Sequence, residues 1–112
     1  MTDQERFARS LGKLLMFAHE QKIEVLMYQL FRTAEQQRVL YDARKSRADG
    51  TAKKSMHQLG RAADLAIVMA GNIVWESCEE YFKLAIFWKS IGGRWGGDFK
   101  INQYNDIYHF EM

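Results

Sequence analysis

Ser55-Met56-His57-Gln58-Leu59-Gly60-Arg61-Ala62-Ala63-Asp64 is the stretch on which the reading of this chain turns. It carries a histidine and an aspartate seven positions apart. On a continuous helix the two would stand about 10 Å apart, and on a straight strand about 23 Å. Neither spacing lets both touch one ion at about 2.0–2.2 Å. A shared ion requires the chain to turn between them, and Gly60 followed by small Ala62 and Ala63 permits that turn. Ala62 to Ala70 is a small-to-aliphatic run interrupted only by Asp64, which reads as a buried strand. A buried carboxylate without a partner is costly, and metal ligation would relieve it. Simpler readings stand beside this one: a hydrogen-bonded histidine at 57, a salt bridge or a cap at 64.

Working outward, Phe7, Leu11, Leu14, Leu15 and Ala18 recur at helical spacing and predict an amphipathic helix over residues 4–20. Ile23, Val25 and Met27 alternate with Glu24, Leu26 and Tyr28, a strand pattern ending near Phe31-Arg32. Thr33 with Gln36 has capping-box spacing, so a second helix should run to about Lys45 with Val39 and Leu40 inward. Residues 46–56 are polar and contain Gly50, and read as a loop. Gly71-Asn72 ends the buried strand. Glu76 to Ser90 reads as a third helix, with Phe82, Ala85, Ile86 and Lys89 on successive turns. Residues 91–98 hold four of the chain's eight glycines and read as a loop. Tyr108-His109-Phe110-Glu111 looks like a closing strand. Trp75, Phe82, Phe87 and Trp88 are assigned to the core, Trp95 and Tyr104 to the core or the lining of a site, and His19 to the surface.

The tail, Asp106-Ile107-Tyr108-His109-Phe110-Glu111, offers the last of three histidines beside two carboxylates. With His57 and Asp64, His109 would make a His2Asp set that leaves one position open, as catalytic zinc requires. Asp106 would reach that position if a bend separates it from His109, and would then serve as general base. A turn-former after Asn105 is its plainer role. Glu111 alternates with His109 and is a rival base, or an outer support of the histidine.

Composition excludes several classes. With 112 residues, 47% apolar, the chain has room for one domain with a real core. A formal charge of +2 is too small for a nucleic-acid binder. Arg44, Lys45, Arg47, Lys53 and Lys54 read as a solvated loop with at most a weak pull on an anionic polymer. One cysteine, Cys78, allows no intrachain disulfide and no Cys-rich metal site, and Glu79 and Glu80 beside it disfavour a reactive thiolate. No apolar run is long enough to span a membrane, and no export signal is visible, so synthesis as a cytoplasmic protein is expected.

Taken together, Ser55-x-His57-x-x-Gly60-x-Ala62-x-Asp64 resembles, position for position, the SxHxxGxAxD signature of the M15 family of zinc peptidases. That family includes D-Ala-D-Ala carboxypeptidases and dipeptidases and phage endolysins that cut peptidoglycan stem peptides. Asp106 three places before His109, then Phe110-Glu111, is most similar to the L-alanyl-D-glutamate endopeptidase branch, as is Trp95-Gly96-Gly97-Asp98-Phe99. Tyr108 departs from the Trp or Pro common in relatives.

The resemblance implies one α+β domain over residues 1–112, a small antiparallel sheet with flanking helices, of the D-Ala-D-Ala peptidase or hedgehog-like zinc peptidase fold, without a wall-binding module. It implies Zn2+ on His57, Asp64 and His109, and Asp106 as catalytic base. Arg32, in Phe31-Arg32-Thr33, would stabilise the oxyanion and touch substrate, and Ser55 would bind substrate. The expected activity is cleavage of L-Ala-D-Glu by a monomeric phage or prophage endolysin that acts at the cell wall after release from the cytoplasm. A D-Ala-D-Ala carboxypeptidase or dipeptidase is the alternative within the enzymes, and a non-catalytic zinc-stabilised wall-binding module the alternative outside them.

Overall fold

The computed structural model describes residues 1–45, 48–51, 54–99 and 105–112. Arg47, Lys53 and Tyr104, for which the sequence suggests roles, lie outside the described residues. The first helix, α1, spans Asp3–Glu20, and Thr2 caps it by accepting from the Glu5 amide at 3.1 Å. Its buried residues are Phe7, Leu14 and Ala18, one stripe of the expected period. Strand β1 (Glu24–Gln29) follows and ends short of Phe31-Arg32. Helix α2 (Ala34–Asp42) opens with the expected capping box of Thr33 and Gln36.

Strand β2 (Ala62–Met69) is the centre of the sheet, buried along six of its eight residues. Ala70 and Gly71, both at positive φ, make a two-residue turn into β3 (Asn72–Val74), a strand the sequence reading missed. Helix α3 (Glu79–Ser90) begins three residues later than expected. The glycine-rich segment is not all loop: it holds β4 (Arg94–Trp95) and a 3-10 turn (Gly96–Asp98). Strand β5 (His109–Glu111) closes the fold.

The strands pair antiparallel in the order β1-β2-β5-β4, with β3 also on β2. Because β1 occupies one edge of β2, β3 and β5 share the other, end to end. The core combines Phe7, Leu14 and Ala18 from α1, Tyr81, Leu84, Ala85 and Trp88 from α3, and Leu65, Ile67, Trp95 and Phe110 from the sheet. Trp88 sits at 0% exposure, and its indole N–H donates to the carbonyls of Arg94 (3.1 Å) and Glu111 (3.0 Å). One helix side chain therefore ties β4 and β5 together. Gly93 makes this possible, since a Cβ there would stand 2.2 Å from the indole nitrogen.

Three inward assignments are corrected. Val39 is 66% exposed, and α2 instead buries Gln37. Phe82, assigned to the core, faces solvent, because α3 packs on the face through Tyr81, Leu84, Ala85 and Trp88. Trp75, expected in the core, is also exposed.

Candidate metal centre

Asp64 on β2 and His109 on β5 are direct register partners, so the pleat projects both side chains to one face. His109 Nδ1 lies 3.3 Å from Asp64 Oδ1. His57 arrives from a different direction. The segment before β2 coils into a turn in which the Gln58 and Leu59 amides donate to the Ser55 carbonyl and the Arg61 amide to that of Met56. Gly60, at φ +69°, provides the left-handed step that returns the chain to β2. The result sets His57 Nε2 3.1 Å from Asp64 Oδ1. The bend that the seven-residue spacing demanded is present.

One donor atom from each of His57, Asp64 and His109 lies within 4.8 Å of the others. Ligand atoms around one tetrahedral zinc stand roughly 3.3–3.6 Å apart, so the two His–Asp separations are close to what an ion needs. The far nitrogens bear on the fit as well. His57 Nδ1 is 2.8 Å from the Leu30 carbonyl, which fixes an N–H there and turns Nε2 inward. His109 Nε2 is 2.7 Å from Glu111 Oε1, which turns Nδ1 inward. Both inner nitrogens hydrogen-bond to Asp64 Oδ1, and would offer their lone pairs to an ion that displaced those protons. The donor set fits a zinc ion.

Charge follows the same geometry. Burial would raise the Asp64 carboxyl, but hydrogen bonds from His109 and His57 outweigh it and hold the group below its usual range. Burial would lower the His109 imidazole, yet hydrogen bonds to Asp64 and Glu111 push it up to about 9. Glu111 is likewise held low despite burial, by His109 and Arg94. Asp106 behaves oppositely: burial, then the neighbouring Asp64 charge, raise it. Two carboxylates in one site are therefore driven apart in acidity.

The backbone supplies the bend between Asp106 and His109, with the His109 amide donating to the Asp106 carbonyl at 3.1 Å. The Asp106 amide in turn donates to the Gly96 carbonyl at 3.0 Å. Gly96 is the seat of this turn, as a Cβ there would fall 2.1 Å from the Asp106 oxygen and 2.8 Å from His109 Cβ. Trp95 braces it from below, its indole donating to the Ile107 carbonyl at 2.8 Å.

Arg32, 8% exposed, is within electrostatic reach of Asp64 and Asp106. Its Nη1 donates to Gln37 Oε1 at 2.7 Å, while its buried Nε finds no partner among the described residues. Burial lowers the guanidinium's pKa, and the two aspartates act against that shift. Gln37, fully buried, passes the support on by donating to the Ala48 carbonyl at 2.6 Å. Ser55 Oγ accepts from the Gln58 amide at 3.2 Å, so this hydroxyl caps the His57 turn. Beside the centre, Tyr28 meets Trp75 and Tyr108 edge-to-face, with ring centroids 6.2 and 6.4 Å apart. β1 and β3 flank β2 on opposite edges, so these rings span the strand that carries Asp64.

All six residues singled out in the sequence are described. His57, Asp64 and His109 are gathered into one cluster, and Arg32 and Asp106 join it electrostatically. Ser55 sits at the start of the His57 turn. Sequence reasoning missed Gln37 and the Leu30 carbonyl, which have no local chemical signature, and took Gly96 only as part of the Trp95-Gly96-Gly97-Asp98-Phe99 stretch.

A family model described as D-alanyl-D-alanine carboxypeptidase, one of the M15 peptidases, matches residues 49–112, more than half of the chain. The chain belongs to the M15 peptidase family. Within M15, it is 32% identical over 88 residues to the L-alanyl-D-glutamate peptidase of Listeria phage A118, a match covering 77% of this chain but 30% of that protein. The chain thus spans about a third of the length of that curated relative. Among solved structures, the Serratia marcescens L-Ala D-Glu endopeptidase ChiX superposes with a TM-score of 0.74 at 23% identity, over 96% of this chain and 78% of that one. The vancomycin resistance D,D-pentapeptidase VanY, solved in complex with Zn(II), gives 0.64 at 20% identity, over 95% and 70%. The LdcB LD-carboxypeptidase gives 0.66 at 20% identity, over 94% and 56%. These likenesses establish the α+β M15 fold for the present chain.

Proposed function

We propose that this chain is a zinc-dependent peptidase that hydrolyses the L-Ala-D-Glu bond of peptidoglycan stem peptides, as a phage or prophage endolysin does. The observation that carries the reading is the His57–Asp64–His109 cluster, in which each histidine's outer nitrogen is held by the protein and its inner one faces Asp64. A zinc ion held there would supply Lewis acidity, activating water and polarising the scissile carbonyl.

The chain's own groups supply the rest. Asp106, its acidity weakened by burial and by Asp64, is the base that takes the proton of the attacking water and hands it to the leaving amine. Arg32, whose guanidinium lies within electrostatic reach of Asp64 and Asp106, stabilises the oxyanion. Gln37 holds one side of the guanidinium and fixes its plane. Ser55 binds substrate through its hydroxyl proton, which has no acceptor among the described residues, while its oxygen caps the turn. Glu111 is engaged with His109 and Arg94, which favours an outer support role over that of base.

Purified peptidoglycan digested with the zinc-loaded protein decides the bond. New N-terminal D-Glu is expected, while released D-Ala would replace this reading with the carboxypeptidase one suggested by the description of the matching family model. Asp106→Ala should retain stoichiometric zinc by metal analysis and lose about 10²- to 10⁴-fold in hydrolysis. Zinc binding with intact substrate in the wild-type protein would instead leave a wall-binding module. Action at the cell wall, after synthesis in the cytoplasm, follows from the same proposal.

A further inference from the structure

Arg94, half exposed at the rim of the sheet, takes no direct part in the proposed hydrolysis. Its backbone position is nonetheless specific. In the β4–β5 register Arg94 is the direct partner of Glu111, and in the β2–β5 register His109 is the direct partner of Asp64. Glu111 and His109 are two residues apart on one strand and share its face. The four side chains therefore form one row across three strands: Arg94, Glu111, His109, Asp64. Glu111's other neighbour in register is Ala62, too small to compete for the carboxylate.

The contacts within the row are divided by atom. Arg94 Nε (2.9 Å) and Nη2 (2.7 Å) both donate to Glu111 Oε2. The other oxygen, Oε1, is left to His109 Nε2 at 2.7 Å. A glutamate carboxyl turns freely about its last torsion, so an unheld Glu111 would offer either oxygen, or neither, to the ring. A guanidinium fork on one oxygen removes that freedom, and a point-charge lysine would not reproduce it.

We propose that Arg94 is a positioning residue of the metal centre: by clamping Glu111 Oε2 it sets Oε1 to hold the His109 ring with Nδ1 turned to the ion. The inference rests on the zinc reading above. Outer partners of metal-bound histidines contribute about 10- to 100-fold to metal affinity, and Arg94, one bond further out, should sit at the low end, about tenfold.

The test is zinc affinity by competition with a chromogenic chelator, together with the visible absorption of the Co(II)-loaded protein. It is run on wild type, Arg94→Ala, Arg94→Lys, Glu111→Ala and the Arg94→Ala/Glu111→Ala double variant. Arg94→Ala should weaken zinc binding about tenfold and alter the cobalt band, with Arg94→Lys restoring only part of either. The double variant should bind no more weakly than Glu111→Ala alone, because Arg94 acts only through that carboxylate. Melting of the chelated variants shows that each still folds, and should differ little between Arg94→Ala and wild type. Unchanged affinity in Arg94→Ala, or losses that add in the double variant, would overturn the assignment of Arg94 while leaving the zinc reading intact. A wild-type protein that binds no zinc would overturn both.

Discussion

Individual residues in this chain are costly until their partners are counted. Asp64 is a buried carboxylate on a central strand, and two imidazoles repay its desolvation. Arg32 is a buried cation whose side-chain hydrogen-bond partner among the described residues is Gln37. Gln37→Leu keeps the volume and removes that partner, leaving a charged donor uncompensated. We expect it to lower stability by about 1.5–3 kcal/mol, read from urea unfolding of the metal-free protein. The same variant should slow hydrolysis more than it weakens zinc binding, because Arg32 is not a ligand. Equal stability of the variant and wild type would show that the Arg32–Gln37 bond is not needed to hold the cation.

At the scale of elements, the site depends on short segments pressed against one another. Gly96 lies under the Asp106–His109 turn, with no room for a methyl group. Gly96→Ala should therefore displace that turn, costing about 1–3 kcal/mol in stability and weakening zinc retention in the same protein. A folded variant with wild-type zinc affinity would show that the turn has slack. Tyr81 supports the opposite end of the β2 edge. Its hydroxyl accepts from the Ile67 amide at 3.0 Å and donates to the Val74 carbonyl at 2.6 Å, bridging two register partners. Burial pushes this phenol up to about 12. A folded pKa above the unfolded one of about 10 contributes stability that is whole below pH 10 and lost as pH rises through about 12. Alkaline unfolding should accordingly follow the tyrosinate absorbance near pH 12, and Tyr81→Phe should remove this component. The helix faces show what pattern reading misses. The capping box of α2 was legible because it is local, whereas the inward side of a nine-residue helix was not. Val39 looked apolar and inward, but Arg32 and Ala48 lie on the other side of α2, so Gln37 was buried instead.

For the molecule as a whole, the metal is expected to act as a staple. A chain of 112 residues buries a modest share of its surface, and three ligands from separate segments would be joined by one ion. At zinc concentrations about 100 times the dissociation constant, the folded state gains about 2.7 kcal/mol. That corresponds to a rise in melting temperature of roughly 10 °C or more for a domain of this size, reversed by a chelator. Calorimetry with and without EDTA measures it directly, and coincident melting curves would count against a resident ion. No described helix is long and apolar enough to cross a membrane.

By itself, the sequence determined that α1 and α2 exist, though it ran α2 on to about Lys45, along with the buried strand around Asp64, the closing strand, and which three residues cluster. These rest on periodicity, caps and a ten-residue signature, all readable over short distances. Only the tertiary structure decided how the cluster is held. The Leu30 carbonyl behind His57, the Glu111–Arg94 pair behind His109 and the Gly96 seat under Asp106 come from segments far apart in the chain. The exposure of Trp75 and the burial of Gln37 were decided there too. Such relations depend on strand register and close approach, which a linear pattern does not encode. The turn at Gly60 lies between the two: its spacing made it necessary, and the fold, with a positive φ and an Asp64 contact at 3.1 Å, made it real.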